Sequence, residues 1–211
     1  MTPQEIYNES FRQIRQGLGT LSCSSAERHI IEWVIHATAD WEYRDTMRFH
    51  EDALETGITA LRQKFPIVTD VRMVAAGFRE SLIASLGLRS YCYLDHMDGQ
   101  RQNHITRSAW GIRHAARILG NDAIVVVANA PTALMETIRL IHDEGWRPKV
   151  VIGVPVGFVG ARESKERLAT DRSSVPFVTN LSMKGGSAAG AAVINAMMTL
   201  ASEQYEQYDR Q

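Results

Sequence analysis

The 211-residue chain is long enough to bury a substantial core and sits near the upper end of what one domain holds, so a single domain over 1–211 is expected. Its 23 Lys and Arg against 24 Asp and Glu leave no global field for a nucleic-acid or polybasic membrane partner, and any anion site has to be local. The opening MTPQEIYNES lacks a basic region ahead of an apolar run, no stretch of about 18 apolar residues occurs, and Cys23 and Cys92 stand outside any C-x-x-C spacing. Export, a membrane span, a disulfide framework and a zinc site are all disfavoured, and a reducing cytoplasm is the expected setting.

Along the chain, Ser24 and Glu27 are spaced as a capping box and open an apolar-periodic helix through Ile30, Ile31, Val34 and Ile35, which puts His36 near its C-terminal end. A second helix is expected over 51–64, then a short strand PIVTDV at 66–71, a strand SYCYL at 90–94, and a helix over 106–119 stopped by Gly120. The next segment is clearer. The run AIVVVA at 123–128 reads as a buried strand, and the helical TALMETIRLIHDE after it ends at Gly145. A second cycle follows, with KVVIGV at 149–154 as strand, GFVGA as loop and ESKERLA as helix. PFVTNL at 176–181 is the third strand, KGGS its loop, and the last helix starts at Ser187 and runs through AAGAAVINAMMTLA. The polar run 203–211 predicts a frayed tail. Strand starts about every 26 residues are the βαβ rhythm, so these three strands belong in one parallel sheet flanked by helices. Their exit loops, ANAP, PVGFVGA and KGGS, then share the carboxyl edge where open α/β sheets bind ligands.

Several residues on this frame could carry chemistry, each with a plainer role beside it. KGGS at 184–187 exposes backbone N–H groups at a helix start and could hold an anion, but it has neither P-loop spacing nor a G-x-G-x-x-G after a strand, and an ordinary turn fits as well. The seven histidines form no H-x-x-x-H or H-E-x-x-H pair, which argues against a protein-bound metal, and no G-x-S-x-G elbow offers a hydrolase nucleophile. By spacing alone, His36 reads first as a hydrogen-bonded helix-end residue. Arg107, after Thr106 at a helix start, could receive a carboxylate or simply be solvated; Lys165 beside Ser164, and Lys184 beside Gly185, share that ambiguity. Met197, Met198, Trp33 and Trp110 read as core packing.

Taken together, IHATAD (35–40), TRSAWG (106–111), NAPTAL (129–134), PVGFVGARESK (155–165) and KGGSAAGAA (184–192) resemble the precorrin-8X methylmutase family along most of the chain. The resemblance implies a Rossmann-like three-layer α/β fold and a cofactor-free, homodimeric isomerase. Its reaction would move a methyl group from C-11 to C-12 of precorrin-8X, or of cobalt-precorrin-8, to give hydrogenobyrinate or its cobalt counterpart. His36 matches the family's catalytic histidine, and its unperturbed pKa of about 6.5 suits delivery of a proton or charged hydrogen bond to the ring C nitrogen. Arg107 and Ser10, the latter in YNESF, match substrate-binding positions, and Ser164, Lys165, Lys184, Gly185, Gly186 and Ser187 are the further substrate-binding expectations. Three positions depart from the family pattern: Trp33, Leu181 and Met183 stand where arginine is common. The alternative from another class is a tetrapyrrole carrier without turnover, and retention of His36 favours the enzyme. A generic nucleotide-binding protein is disfavoured by the missing phosphate fingerprints.

Overall fold

The computed structural model describes residues 1–94, 105–171 and 175–202. In chain order its elements are α1 (Pro3–Leu18), α2 (Ser25–Thr38), α3 (Tyr43–Thr46), β1 (Met47–Phe49), α4 (Ala53–Arg62), β2 (Ile67–Thr69), α5 (Arg72–Ala76), α6 (Glu80–Leu86), β3 (Ser90–Tyr91), α7 (Arg107–Leu119), β4 (Ile124–Val127), α8 (Pro131–Asp143), β5 (Val150–Gly153), α9 (Ala161–Ala169), β6 (Phe177–Asn180) and α10 (Ser187–Ala201). The last section of tail singled out by its polarity, 203–211, lies outside the described residues.

Six strands form one sheet in the order β1-β6-β5-β4-β2-β3. The expected parallel set is present, with Val125 opposite Val151 and Ile152 opposite Val178, and β2 and β3 extend it in parallel on the far side of β4. Only β1 runs antiparallel, with Met47 opposite Asn180 at the edge.

Side chains alternate across the pleat, and both faces of the central strands are buried, so these strands read as continuous apolar runs and not as polar alternation. Ile124, Val126, Ile152 and Val178 join one core with α1, α2, α4 and α10. Val125, Val127, Val151 and Phe177 join the other with the buried faces of α7, α8 and α9. The result is the three-layer arrangement expected of βαβ units. Complete burial of each such side chain is worth about 1.5–3 kcal/mol, so these strands anchor the loops that leave them.

Helix α10 lies under the sheet because its small residues let it come close: a Cβ at Gly190 would sit 2.5 Å from the Cβ of Ala128. Both capping-box bonds of Ser24 and Glu27 form at α2, and Thr106 caps α7 through the N–H of Ala109. Helix α1, β1, α5 and α6 were not anticipated from the sequence. The strand expected at 90–94 shortens to Ser90–Tyr91. Among the described residues no helix is long and apolar enough to cross a membrane.

Candidate active site

Strands β4, β5 and β6 each pass directly into a loop and then a helix, so the starts of α8, α9 and α10 lie along the carboxyl edge of the sheet. Strand β2 leads on to β3 at one side and β4 leads on to β5 at the other, so the topological switch falls between β2 and β4, where α/β sheets open a crevice. Asp70 sits at that point. Its carboxylate accepts the backbone N–H groups of Ala128 (3.2 Å), Asn129 (2.9 Å) and Ala130 (2.7 Å), which shapes the ANAP turn from below. Burial raises the Asp70 pKa above the ordinary carboxylate value while those donors pull it the other way. Beside this turn, the hydroxyls of Thr106 and Thr132 meet at 2.8 Å and bring the starts of α7 and α8 together. Arg107, the first residue of α7, is exposed at this edge.

His36 is carried by the last turn of α2. Its Nδ1 lies 2.8 Å from the hydroxyl of Ser10 on α1, its ring stacks on Phe11 with centroids 4.7 Å apart, and Tyr7 meets it edge-on at 5.6 Å. Partial desolvation by these neighbours lowers the His36 pKa below 6.5. The helix closes at Ala39 in the left-handed region, φ 53°, with its N–H donated to Ile35. The chain then presents Asp40 and Glu42, and Lys184 from the KGGS loop donates to both, at 2.6 and 2.9 Å. Glu42 also accepts the hydroxyl of Ser182. The two carboxylates hold the Lys184 pKa above the ordinary lysine value.

The loop itself is pressed against the end of β5. Gly186 donates its N–H to the carbonyl of Val154 at 2.9 Å, and a Cβ at Gly185 would stand 2.2 Å from that same oxygen, so only glycine fits. Beneath lies Lys165, wholly buried, with Nζ donating to the carbonyl of Lys184 at 2.6 Å and to Oδ1 of Asn180 at 3.3 Å. Burial pushes the Lys165 pKa down to about 8. The Asn180 amide donates to the same Lys184 carbonyl at 2.9 Å. Ser164, also buried, donates to the carbonyl of Ala161 at 2.9 Å.

The structure therefore joins Ser10 with His36, and Lys165 with Lys184 and its two glycines. It does not join Arg107 to His36: α7 and α2 lie in different layers, although their relevant ends point to one edge. Ser164 and Lys165 have no exposed surface: Ser164 donates within α9, Lys165 reaches the loop from below, and Lys184 already faces two carboxylates. Ser187 opens α10 with a buried hydroxyl that has no partner among the described residues. Sequence reasoning missed Asp70, Asp40, Glu42, Asn180 and the aromatic pair Tyr7 and Phe11. A polar residue ending an otherwise apolar strand run was the available signal for Asp70. Among the described residues no group of three or more His, Cys, Asp or Glu could hold a metal ion.

A family model of precorrin-8X methylmutase matches residues 5–200. The chain is similar to a cobalt-precorrin-8 methylmutase of Leptospira interrogans, 36% identical over 211 residues and covering 96% of each chain. It is 40% identical over 202 residues to the cobalt-precorrin-8 methylmutase of Priestia megaterium, covering 94% of this chain and 88% of that one. Its fold is similar to the crystal structure of a precorrin-8X methylmutase from Thermus thermophilus, with a TM-score of 0.86 at 35% identity, covering 94% of this chain and 96% of that one. With the family model matched over residues 5–200 and these relatives covered over most of their length, the chain belongs to the precorrin-8X methylmutase family.

Proposed function

We propose that the protein is a cobalamin-biosynthesis isomerase that moves a methyl group from C-11 to C-12 of precorrin-8X or cobalt-precorrin-8, giving hydrogenobyrinate or its cobalt-containing counterpart. The observation that carries this reading is the pairing of His36 with Ser10 in a chain similar to these methylmutases over nearly its whole length. In the shift, the bond from the methyl carbon to C-11 breaks as the bond to C-12 forms, with no atom or electron added, so no redox partner enters.

His36 is the catalytic residue in this account. When the Ser10 hydroxyl donates to Nδ1, the imidazole proton resides on Nε2 and can be shared with the ring C nitrogen, drawing electron density from the migrating centre. Desolvation by its neighbours disfavours the charged imidazole, and a bound anionic substrate would act in the opposite direction. Arg107 and the N–H groups of Gly185 and Ser187 receive acetate or propionate arms. Lys165 holds the loop in place through the Lys184 carbonyl, and the Asp40 and Glu42 pair fixes Lys184 beside it.

The working unit in this proposal is a cytoplasmic homodimer whose site is bordered by both copies. A flat tetrapyrrole needs a wide wall, and the loop after β5 ends in an exposed apolar tip, with Phe158 90% and Val159 87% accessible, next to Met183 at 48%.

A thermal-shift experiment tests the ligand class, because a ligand that binds only the native state raises the melting temperature. The product corrinoid at 100-fold over its Kd should stabilise by about 2.7 kcal/mol, while ATP and NAD should leave the transition where it was. Stabilisation by a nucleotide with none by corrinoid would reject this function.

A further inference from the structure

We infer that Arg79 is a further carboxylate receptor of the same site, positioned to take one acidic arm of the bound macrocycle through an aromatic path that begins at His36. The inference rests on the isomerase reading above and adds a substrate contact to it.

The path is continuous. His36 stacks on Phe11 at 4.7 Å, Phe11 meets Trp33 edge-on at 5.9 Å, and the Arg79 guanidinium lies over the Trp33 ring, 5.4 Å from its centroid. Trp33 precedes His36 by three positions on α2, so the two share one helix face. Phe11 and Trp33 are both buried, and Arg79 closes the outer end of the row in the open.

What separates Arg79 from its neighbours is that its charge is unspent. Arg15 also lies over an aromatic ring, that of Phe11 at 5.9 Å, but it is paired with Glu32 at 3.0 Å. Arg28 is paired with Glu32 and Arg12 with Glu9. The Arg79 side chain makes no ion pair or hydrogen bond among the described residues, and its ring contact leaves every guanidinium N–H available. A guanidinium lying on an aromatic ring is already oriented for the planar, bidentate grip of a carboxylate, so little side-chain entropy is lost when one arrives.

The second support is the investment of a core residue in holding this arginine. Asn195 stands on α10, a helix that is otherwise apolar on its buried faces, and is itself 8% exposed. Its Oδ1 accepts the backbone N–H of Arg79 at 2.9 Å, and its Nδ2 donates to the carbonyl of Gly77 at 2.9 Å. Gly77 lies so close to α10 that a Cβ there would come 2.6 Å from the Cβ of Ala191. A polar side chain in an apolar core is tolerated when its hydrogen bonds are met. Here both sides of the amide are met by the 77–79 turn, which fixes the point from which Arg79 projects.

The test compares wild type with Arg79→Met, which keeps the aliphatic stem over Trp33 and removes the charge, and with Arg79→Lys. For each we would measure kcat, KM and the affinity for the product corrinoid, first with its side-chain carboxylates free and then amidated. Loss of a charge-assisted bond present in both ground and transition states predicts KM and product Kd raised about 10- to 100-fold in Arg79→Met with kcat nearly unchanged, and partial recovery in Arg79→Lys. Amidation should weaken binding to wild type and have a correspondingly smaller effect on Arg79→Met, a result that a purely structural role would not produce. Equal affinity of wild type and Arg79→Met for the free carboxylate form, or equal penalties on amidation, overturns the inference while leaving the isomerase reading intact. Failure of wild type itself to bind the corrinoid overturns both.

Discussion

With Nδ1 occupied by Ser10 and one ring face covered by Phe11, His36 has Nε2 as its remaining polar position, and desolvation lowers its pKa below the ordinary histidine value. In the proposed reaction its interaction with the ring nitrogen grows as the methyl group migrates, so it belongs to the transition state more than to the bound substrate. His36→Ala should lower kcat by about 10²- to 10⁴-fold, with product affinity within a few-fold of wild type and the melting temperature little changed. Steady-state kinetics, product titration and thermal melting on the one variant check this. A variant that melts early yet turns over normally would make His36 a structural helix-end residue. The capping box that fixes its place on α2 was legible from Ser24 and Glu27, but its partners were not. Ser10 and Phe11 lie 26 and 25 positions away on a helix whose buried face is only Phe11, Ile14 and Leu18, a sparse apolar stripe.

At the scale of elements, the strand-loop-helix cycles after residue 123 were legible because their strands are buried on both sides and their loops carry glycine at forced positions. The edge pieces were not. Strand β1 has three residues, α5 five and α6 seven, without side-chain capping bonds on either helix, so tertiary packing and not local pattern decides them. The pattern of ESKERLA predicts a helix and leaves Lys165 open between an anion contact and solvation, and the fold puts Lys165 wholly inside to hold the Lys184 carbonyl. That placement has a cost that pH reveals. With its folded pKa near 8 and an ordinary value of 10.5, Lys165 binds its proton more tightly in the unfolded chain, so wild type gains stability as pH rises from about 8 to 10.5. The facing charged group is Glu42, which pulls the other way. Lys165→Met removes this slope, and because Asn180 still donates to the Lys184 carbonyl, the variant should be no less stable than wild type at pH 7. Its kcat/KM should nonetheless fall roughly 10-fold or more, since a loop shifted by about 1 Å misplaces the substrate arms. Urea unfolding between pH 7 and 10.5 with parallel kinetics checks both halves, and parallel stability slopes in the two proteins would contradict the account.

For the whole molecule, the sheet separates the layer that carries His36 from the layer that carries Arg107, and both reach solvent along the carboxyl edge. The exposed tip at Phe158 and Val159 projects from the loop between β5 and α9, an arrangement that suits a site completed by a second copy. Sedimentation at micromolar concentration should accordingly give a dimer, and a monomer that turns over substrate would reject the shared site. The parallel set β4, β5 and β6 and the shared edge of its exit loops followed from βαβ spacing, the places of β1, β2 and β3 around it did not, and the chemistry of the ligand came from the similarity of five short runs and of the whole fold to known methylmutases. The most direct measurement is anaerobic incubation of the purified protein with precorrin-8X, and in parallel with cobalt-precorrin-8, while the visible spectrum is followed. Conversion of either substrate to its rearranged corrinoid at a catalytic rate, abolished in His36→Ala, is the predicted result; tight binding of both with no spectral conversion would show a carrier and contradict the isomerase assignment.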